Sequence, residues 1–246
     1  MGFHDHFSIR DAYARFRPDY PEELFAWLAS LCPRRDLAWD SAAGNGQAAV
    51  ALAPHFARVV ASDASMDQLR HALPGRVFHC RALSERAPFP DASVDLVAVA
   101  QALHWLNLDA FYREARRVSR AGAVVAAWCY GAFAVEGEAG AAAREFYAGT
   151  VGPYWPPERR HVDAGYATLP FPFPHIASPE LALVREWDAE AFVNYAGTWS
   201  AVKRYREETG VDPLPELARK LAPVWGPRRK VRWPLHVFAG RAWGPA

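Results

Sequence analysis

Leu24, Trp27, Leu28 and Leu31 recur at three- and four-residue steps, and that spacing predicts a helix with one apolar face. Pro21 opens it, Glu22 and Glu23 lie in the first turn where acids are favoured, and Cys32-Pro33 closes it. The pattern then alternates between short apolar runs and amphipathic stretches. An apolar run from Leu37 ends in Asp40 and predicts a strand; Gln47 to Ala53 predicts a helix stopped by Pro54. A strand over Arg58–Ser62, a helix over Ser65–Leu73 closed by Pro74-Gly75, and a strand over Val77–Cys80 follow. After a loop from Arg81 to Asp91 come a buried-strand run over Ser93–Ala100, a helix over Leu108–Val118 and a fifth strand over Ala123–Trp128. Strands alternating with helices in this way predict an α/β fold with a doubly wound, Rossmann-like parallel sheet.

Beyond Gly131 the period is lost and prolines crowd among large aromatics, as in Tyr154-Trp-Pro-Pro-Glu-Arg-Arg160 and Leu169-Pro-Phe-Pro-Phe-Pro-His175. Proline-fixed turns carrying big rings predict a folded helical cap, not disorder. Leu181–Trp187 reads as a strand, Asp188 caps a helix through Tyr195, and further helices open at Thr198 and Pro213, the latter running to Leu221. Val231–Trp243 reads as an antiparallel closing strand disrupted early by Pro234. The expected organisation is therefore a ligand-binding core with its lead-in over residues 1–130, and a cap plus the closing strands of the same sheet over 131–246.

The first strand changes the picture from fold to chemistry. It runs into Asp40-Ser-Ala-Ala-Gly-Asn-Gly-Gln47, where small residues at 41–44 and 46 let a ligand approach the backbone ahead of a helix. A carboxylate before the glycines suits a cationic or polyhydroxylated ligand better than a pyrophosphate. A second strand ends in another acid, Asp63, at about the spacing of the residue that takes ribose hydroxyls in nucleotide-binding sheets.

With these residues the chain resembles the class I S-adenosylmethionine-dependent methyltransferases. Asp40-x-x-x-Gly44-x-Gly46 stands where that family has Asp-x-Gly-x-Gly-x-Gly, with Ala42 in place of the first glycine, a position that a positive φ would strain. The run Tyr13-x-x-x-Arg17-Pro-x-Tyr-Pro21, the pair His104-Trp105 and, more diffusely, Thr198-Trp199-Ser-Ala and Trp225-Gly226 resemble the trans-aconitate methyltransferase-like subgroup. The resemblance implies S-adenosylmethionine as cofactor, held by Asp40, Ala42, Gly44, Gly46, Asp63 and Ala64. It further implies that Ser84 and Glu85 flank the adenine, that Gln101 lines the site, and that Tyr13 and Arg17 lie over the cofactor. Gly44-x-Gly46-x-x-Ala49 also fits a dinucleotide loop, so an NAD-dependent oxidoreductase is the competing enzyme class, although no Tyr-x-x-x-Lys pair is present. The same residues are compatible with a macromolecule methyltransferase and with a non-catalytic cofactor-binding module.

His104, taken as the one histidine near the strand ends, is the candidate catalytic residue; its other role is to shape the pocket floor. Trp105, Trp155 and Trp199 are candidate walls of an acceptor pocket, or else cap core. Arg159 and Arg160 suit a substrate carboxylate through their planar guanidinium groups. The expected acceptor is a small molecule, a carboxylic acid in line with the subgroup.

Charge and cysteines narrow the partners. A formal net charge of +1 gives no basic field for nucleic acid. Cys32, Cys80 and Cys129 lie far apart, as expected of reduced thiols, and His4-Asp5-His6 has no further ligand nearby, so no metal is expected. The start, Met-Gly-Phe-His-Asp-His, has neither signal-peptide character nor the Ser or Thr of a myristoylation site, and no apolar run is long enough to span a bilayer. The expectation is a cytoplasmic monomer or weak homodimer.

Overall fold

The computed structural model describes residues 18–243. In chain order, α1 (Glu22–Leu31), β1 (Leu37–Ser41), α2 (Gln47–Leu52), β2 (Arg58–Asp63), α3 (Met66–Leu69), β3 (Phe78–Arg81) and β4 (Val94–Ala100) precede α4 (Leu108–Val118) and β5 (Ser119–Tyr130). Then come α5 (Gly137–Glu145), α6 (Arg159–Asp163), β6 (His175–Ile176), β7 (Leu181–Trp187), α7 (Ala189–Gly197), α8 (Ser200–Thr209), α9 (Leu214–Trp225) and β8 (Arg229–Arg241).

The strands form one sheet in the order β3-β2-β1-β4-β5-β8-β6, with β7 also paired to β8. The first five are parallel, and β8 runs antiparallel to β5. The order reverses between β1 and β4, which opens a crevice beyond their carboxyl ends. Parallel strands covered on both faces must be apolar throughout, and β1 is buried at every position. Trp39 sits at its centre with its indole N–H donated to Ser62 Oγ at 2.8 Å. The α4 helix covers that face with Phe111, Tyr112, Ala115 and Val118, and Asn107 caps it by accepting the Ala110 N–H. Each such large apolar side chain contributes roughly 1.5–3 kcal/mol.

The chain divides into two compact units. The sheet unit comprises Tyr20–Gly131, Arg160–Ala182 and the chain from Pro234 onward. The second, aromatic unit takes Ala132–Arg159 and Leu183–Trp233. Residues 160–182 and the last strand from Pro234 onward thus lie in the sheet unit. Trp199 is the hub of the aromatic unit, 4% exposed and in ring contact with Phe133, Phe146, Tyr147, Trp155, Phe192 and Tyr195.

Several boundaries differ from the pattern reading. The helix expected over 65–73 ends at Leu69 and continues as turns, tied down by the Leu73 N–H on Asn45 O. Pro234 lies inside β8 without disrupting it, because the ladder with β5 begins at Leu235 and the missing N–H breaks none of its bonds. The last helix reaches Trp225, with Pro223 in its final turn and Gly226 at φ 74 ending it. Among the described residues no helix is long and apolar enough to cross a membrane.

Candidate functional site

The carboxyl ends of β1 to β4 carry most of the residues singled out by sequence, all within the sheet unit. Asp40 lies one residue before the end of β1, fully buried, and neither carboxylate oxygen has a hydrogen-bond partner. Burial drives its pKa up to about 7; the neighbouring Asp63 adds to the shift, and the Ala49 N–H, outside hydrogen-bond geometry, opposes it. An ionisable group stripped of water and left without a partner is costly. A cationic ligand group would remove that cost.

The chain then turns over itself on three left-handed residues. Ala42 adopts φ 53, the strained value expected of a residue in a glycine's place; Gly44 has φ 57 and Gly46 φ 83. The loop is stitched by the Ala43 N–H on Ser62 O and the Gly46 N–H on Ala43 O. Asp63 ties it to β2: Oδ2 accepts the Gly44 N–H at 2.8 Å and Oδ1 accepts the Ser65 N–H at 2.8 Å. Each carboxylate oxygen has two acceptor sites, so these bonds leave capacity for ligand hydroxyls.

The residues further along the strand ends are held by the backbone around them. Ala64 accepts from Arg81 Nε through its carbonyl, Ser84 is buried, and Glu85 Oε1 accepts the Asn107 N–H at 2.9 Å, which fixes the loop into α4. Gln101 is left-handed at φ 56, and its amide brackets the Tyr130 backbone, Nε2 donating to the carbonyl at 3.0 Å and Oε1 accepting the N–H at 3.3 Å. Its side chain is therefore occupied in joining β4 to β5, and what it can offer a ligand is backbone.

His104 follows in a short turn, with Nδ1 2.9 Å from the Tyr166 hydroxyl and its ring 4.8 Å from that of Trp105, which is 59% exposed. Sequence reasoning missed Tyr166, which arrives from a segment far along the chain. It also passed over His79: the strand-end histidine is not alone. On β3, in register with Ala61 and so with Asp40, His79 presses its ring beneath Gly46, where a Cβ would meet Cε1 at 2.9 Å. Its Nδ1 is buried without a partner, and burial lowers its pKa.

In the aromatic unit, Arg159 lies over the Trp155 ring at 4.6 Å and the Tyr147 ring at 5.6 Å, with Nε donating to the Tyr147 hydroxyl at 3.0 Å. Trp155 donates its indole N–H to Tyr147 O. Trp199, read as a pocket wall or cap core, lies at the centre of that unit's core. Arg160, the next residue of α6, is exposed, with Nε 3.5 Å from His161 Nε2. Tyr13 and Arg17 lie outside the described residues.

A family model described as a methyltransferase domain matches residues 39–127. A Dictyostelium discoideum protein named as a methyltransferase is 34% identical over 229 residues, covering 91% of this chain and 87% of its own. A Mycobacterium tuberculosis methyltransferase of uncharacterised activity is 41% identical over 118 residues, 47% of each chain. Among solved structures, one from Anaeromyxobacter dehalogenans assigned as a type II methyltransferase superposes with a TM-score of 0.87 at 45% identity, over 93% of this chain and 99% of that one. A structure from Anabaena variabilis shares the fold at 15% identity and a TM-score of 0.55, over 89% of this chain and 98% of that one.

Proposed function

The chain belongs to the class I S-adenosylmethionine-dependent methyltransferases, and from that premise we propose that it methylates a small molecule, a carboxylic acid. The observation that carries the donor assignment of residues is Asp40, buried and unpartnered at the end of β1. When bound, S-adenosylmethionine supplies an electrophilic methyl group on a sulfonium. The rest of the work falls to the protein. Asp40 offers its carboxylate to the donor's ammonium, Asp63 holds the ribose hydroxyls, and the small residues Ala42, Gly44 and Gly46 let the loop backbone come close. Ala64, Ser84 and Glu85 border the adenine, and Gln101 contributes backbone. A dinucleotide fits less well, because its pyrophosphate would face an anion.

Three points support a carboxylate acceptor. It is ionised at neutral pH, so no base has to remove a proton. Arg159 is stacked over the Trp155 and Tyr147 rings, and its planar fork suits a carboxylate. The trans-aconitate-type resemblance points to the same class. Near-neutral overall charge speaks against nucleic acid as acceptor. We further propose a cytoplasmic protein that works as a monomer or weak homodimer.

Purified protein incubated with methyl-labelled donor and a panel of small acids, phenols and amines tests the reading. Label is expected in base-labile esters of the acids. Arg159→Gln should raise the acceptor KM by roughly ten- to a hundredfold, the worth of a charge-assisted hydrogen bond, with donor binding unchanged. Transfer to phenols or amines alone, or to protein or RNA in an extract, would overturn it.

A further inference from the structure

Three observations define the place of Tyr166. It is a bulky non-glycine residue in the left-handed region, at φ 63. It is 1% exposed. Its hydroxyl reaches Nδ1 of His104, 62 positions away in the sequence, at 2.9 Å.

The turn that delivers it is specific. The Tyr166 N–H returns to His161 O at 2.7 Å and the Gly165 N–H to Val162 O at 2.9 Å, the paired bonds of a Schellman ending to α6. Gly165 supplies the left-handed residue that this motif requires, at φ 58, and a Cβ there would fall 2.6 Å from the His236 ring. A second turn overlaps it: the Ala167 N–H returns to Ala164 O at 3.1 Å, and both central residues, Gly165 and Tyr166, are left-handed as a type I′ turn requires. The two turns together fix the backbone from which the phenol reaches His104.

From this geometry we infer that Tyr166 is a positioning residue that locks His104 in one tautomer, with the proton on Nε2. A phenol and a neutral imidazole pair best with the hydroxyl donating to the unprotonated nitrogen, because the phenol O–H is the stronger acid of the two and that nitrogen the stronger base. Nδ1 then accepts, and Nε2 must carry the hydrogen. Trp105, with its ring 4.8 Å from the imidazole and tilted by 43°, limits reorientation from another side. His104 held this way is a hydrogen-bond donor and not a base. Resting on the carboxylate reading above, its role is to donate to an acceptor carboxylate oxygen, where an imidazole lone pair would repel it.

Long-range proton–nitrogen correlation spectra of the full chain, labelled with 15N-histidine at about pH 8 where unperturbed imidazoles are neutral, read the tautomer without any acceptor. His104 resonances are assigned by their loss in His104→Gln. The expected result is protonation at Nε2 alone in the unmodified protein and a mixture of tautomers in Tyr166→Phe. Protonation at Nδ1 in the unmodified protein overturns the inference, whether or not the variant folds, and so does an unchanged His104 pattern in a folded Tyr166→Phe. With a carboxylate from the panel that accepts the methyl group, Tyr166→Phe should raise its KM about tenfold and leave the donor Kd alone. Should no carboxylate accept, the acceptor reading fails by itself, because the tautomer is measured independently of it.

Discussion

Asp40 shows how one side chain sets a conflict between stability and binding. An unfolded aspartate titrates near 3.9, whereas in the fold Asp40 titrates at about 7. The raised value means the protonated form is the one the fold favours. That contribution is fully present below about pH 4 and is lost as pH rises through about 7. Asp40→Asn should therefore melt higher than the parent at pH 8 without ligand, by on the order of 2–4 kcal/mol of stability, with the gap closing toward pH 4. On the proposal that Asp40 receives the donor's ammonium, the same variant should bind S-adenosylmethionine at least tenfold more weakly. For the parent, donor affinity should fall below about pH 7, because the carboxyl must lose its proton to receive a cation. Scanning calorimetry and titration calorimetry across pH 5–8 check both; a stability gap that does not vary with pH would refute the burial argument.

At the scale of the element, the glycine loop depends on β3 as much as on its own residues. Gly46 is both left-handed, at φ 83, and in van der Waals contact range of His79. Gly46→Ala should cost about 1–3 kcal/mol from the backbone alone, plus the contact with the imidazole. Combining it with His79→Ala should return the contact part and leave the backbone part, a coupling of roughly 0.5–3 kcal/mol by urea denaturation. Purely additive losses would mean the ring simply swings aside. The loop was legible in sequence because small residues after a strand have one obvious use, and Ala42 was legible as a strained substitute. His79 was not, because its value lies in a neighbour two strands away rather than in any motif. Tyr166 was hidden for the same reason, in a proline-rich stretch with no period. The strands and α4 followed their apolar spacing, whereas α5, rich in glycine and alanine, has too little apolar contrast to announce a helix. Arg159 and Arg160 read as a pair, yet adjacent residues on a short helix do not face each other.

Across the sheet, one buried polar cluster that holds the fold lies at the opposite end of the strands from the residues assigned to function. Near the amino ends, the buried Asp95 accepts the N–H groups of Asp36 at 2.8 Å and Leu37 at 2.9 Å and pairs with Arg120 at 3.0 Å. Asp95→Ala leaves both backbone donors without their acceptor and Arg120 with Asp36 as its remaining partner, and should cost about 3–5 kcal/mol. Donor affinity of the remaining folded protein should be unchanged, which titration calorimetry in the cold would establish; a parallel loss of affinity would show that the two ends are coupled. The position of β8 carries a different consequence, one that belongs to translation. Its residues 235–241 are the antiparallel partners of 124–130 in β5, yet residues 131–234 are made in between. At roughly 5–20 residues per second, a nascent chain spends several seconds or more with β5 lacking that neighbour. The waiting stretch, Ala-Val-Val-Ala-Ala-Trp-Cys-Tyr from Ala123, is uncharged and free of proline, the composition most prone to pair with a copy of itself on a neighbouring ribosome. Ribosomes stalled shortly before residue 229 would therefore hold chains that depend on holdase chaperones, and release from that dependence comes only with the last strand.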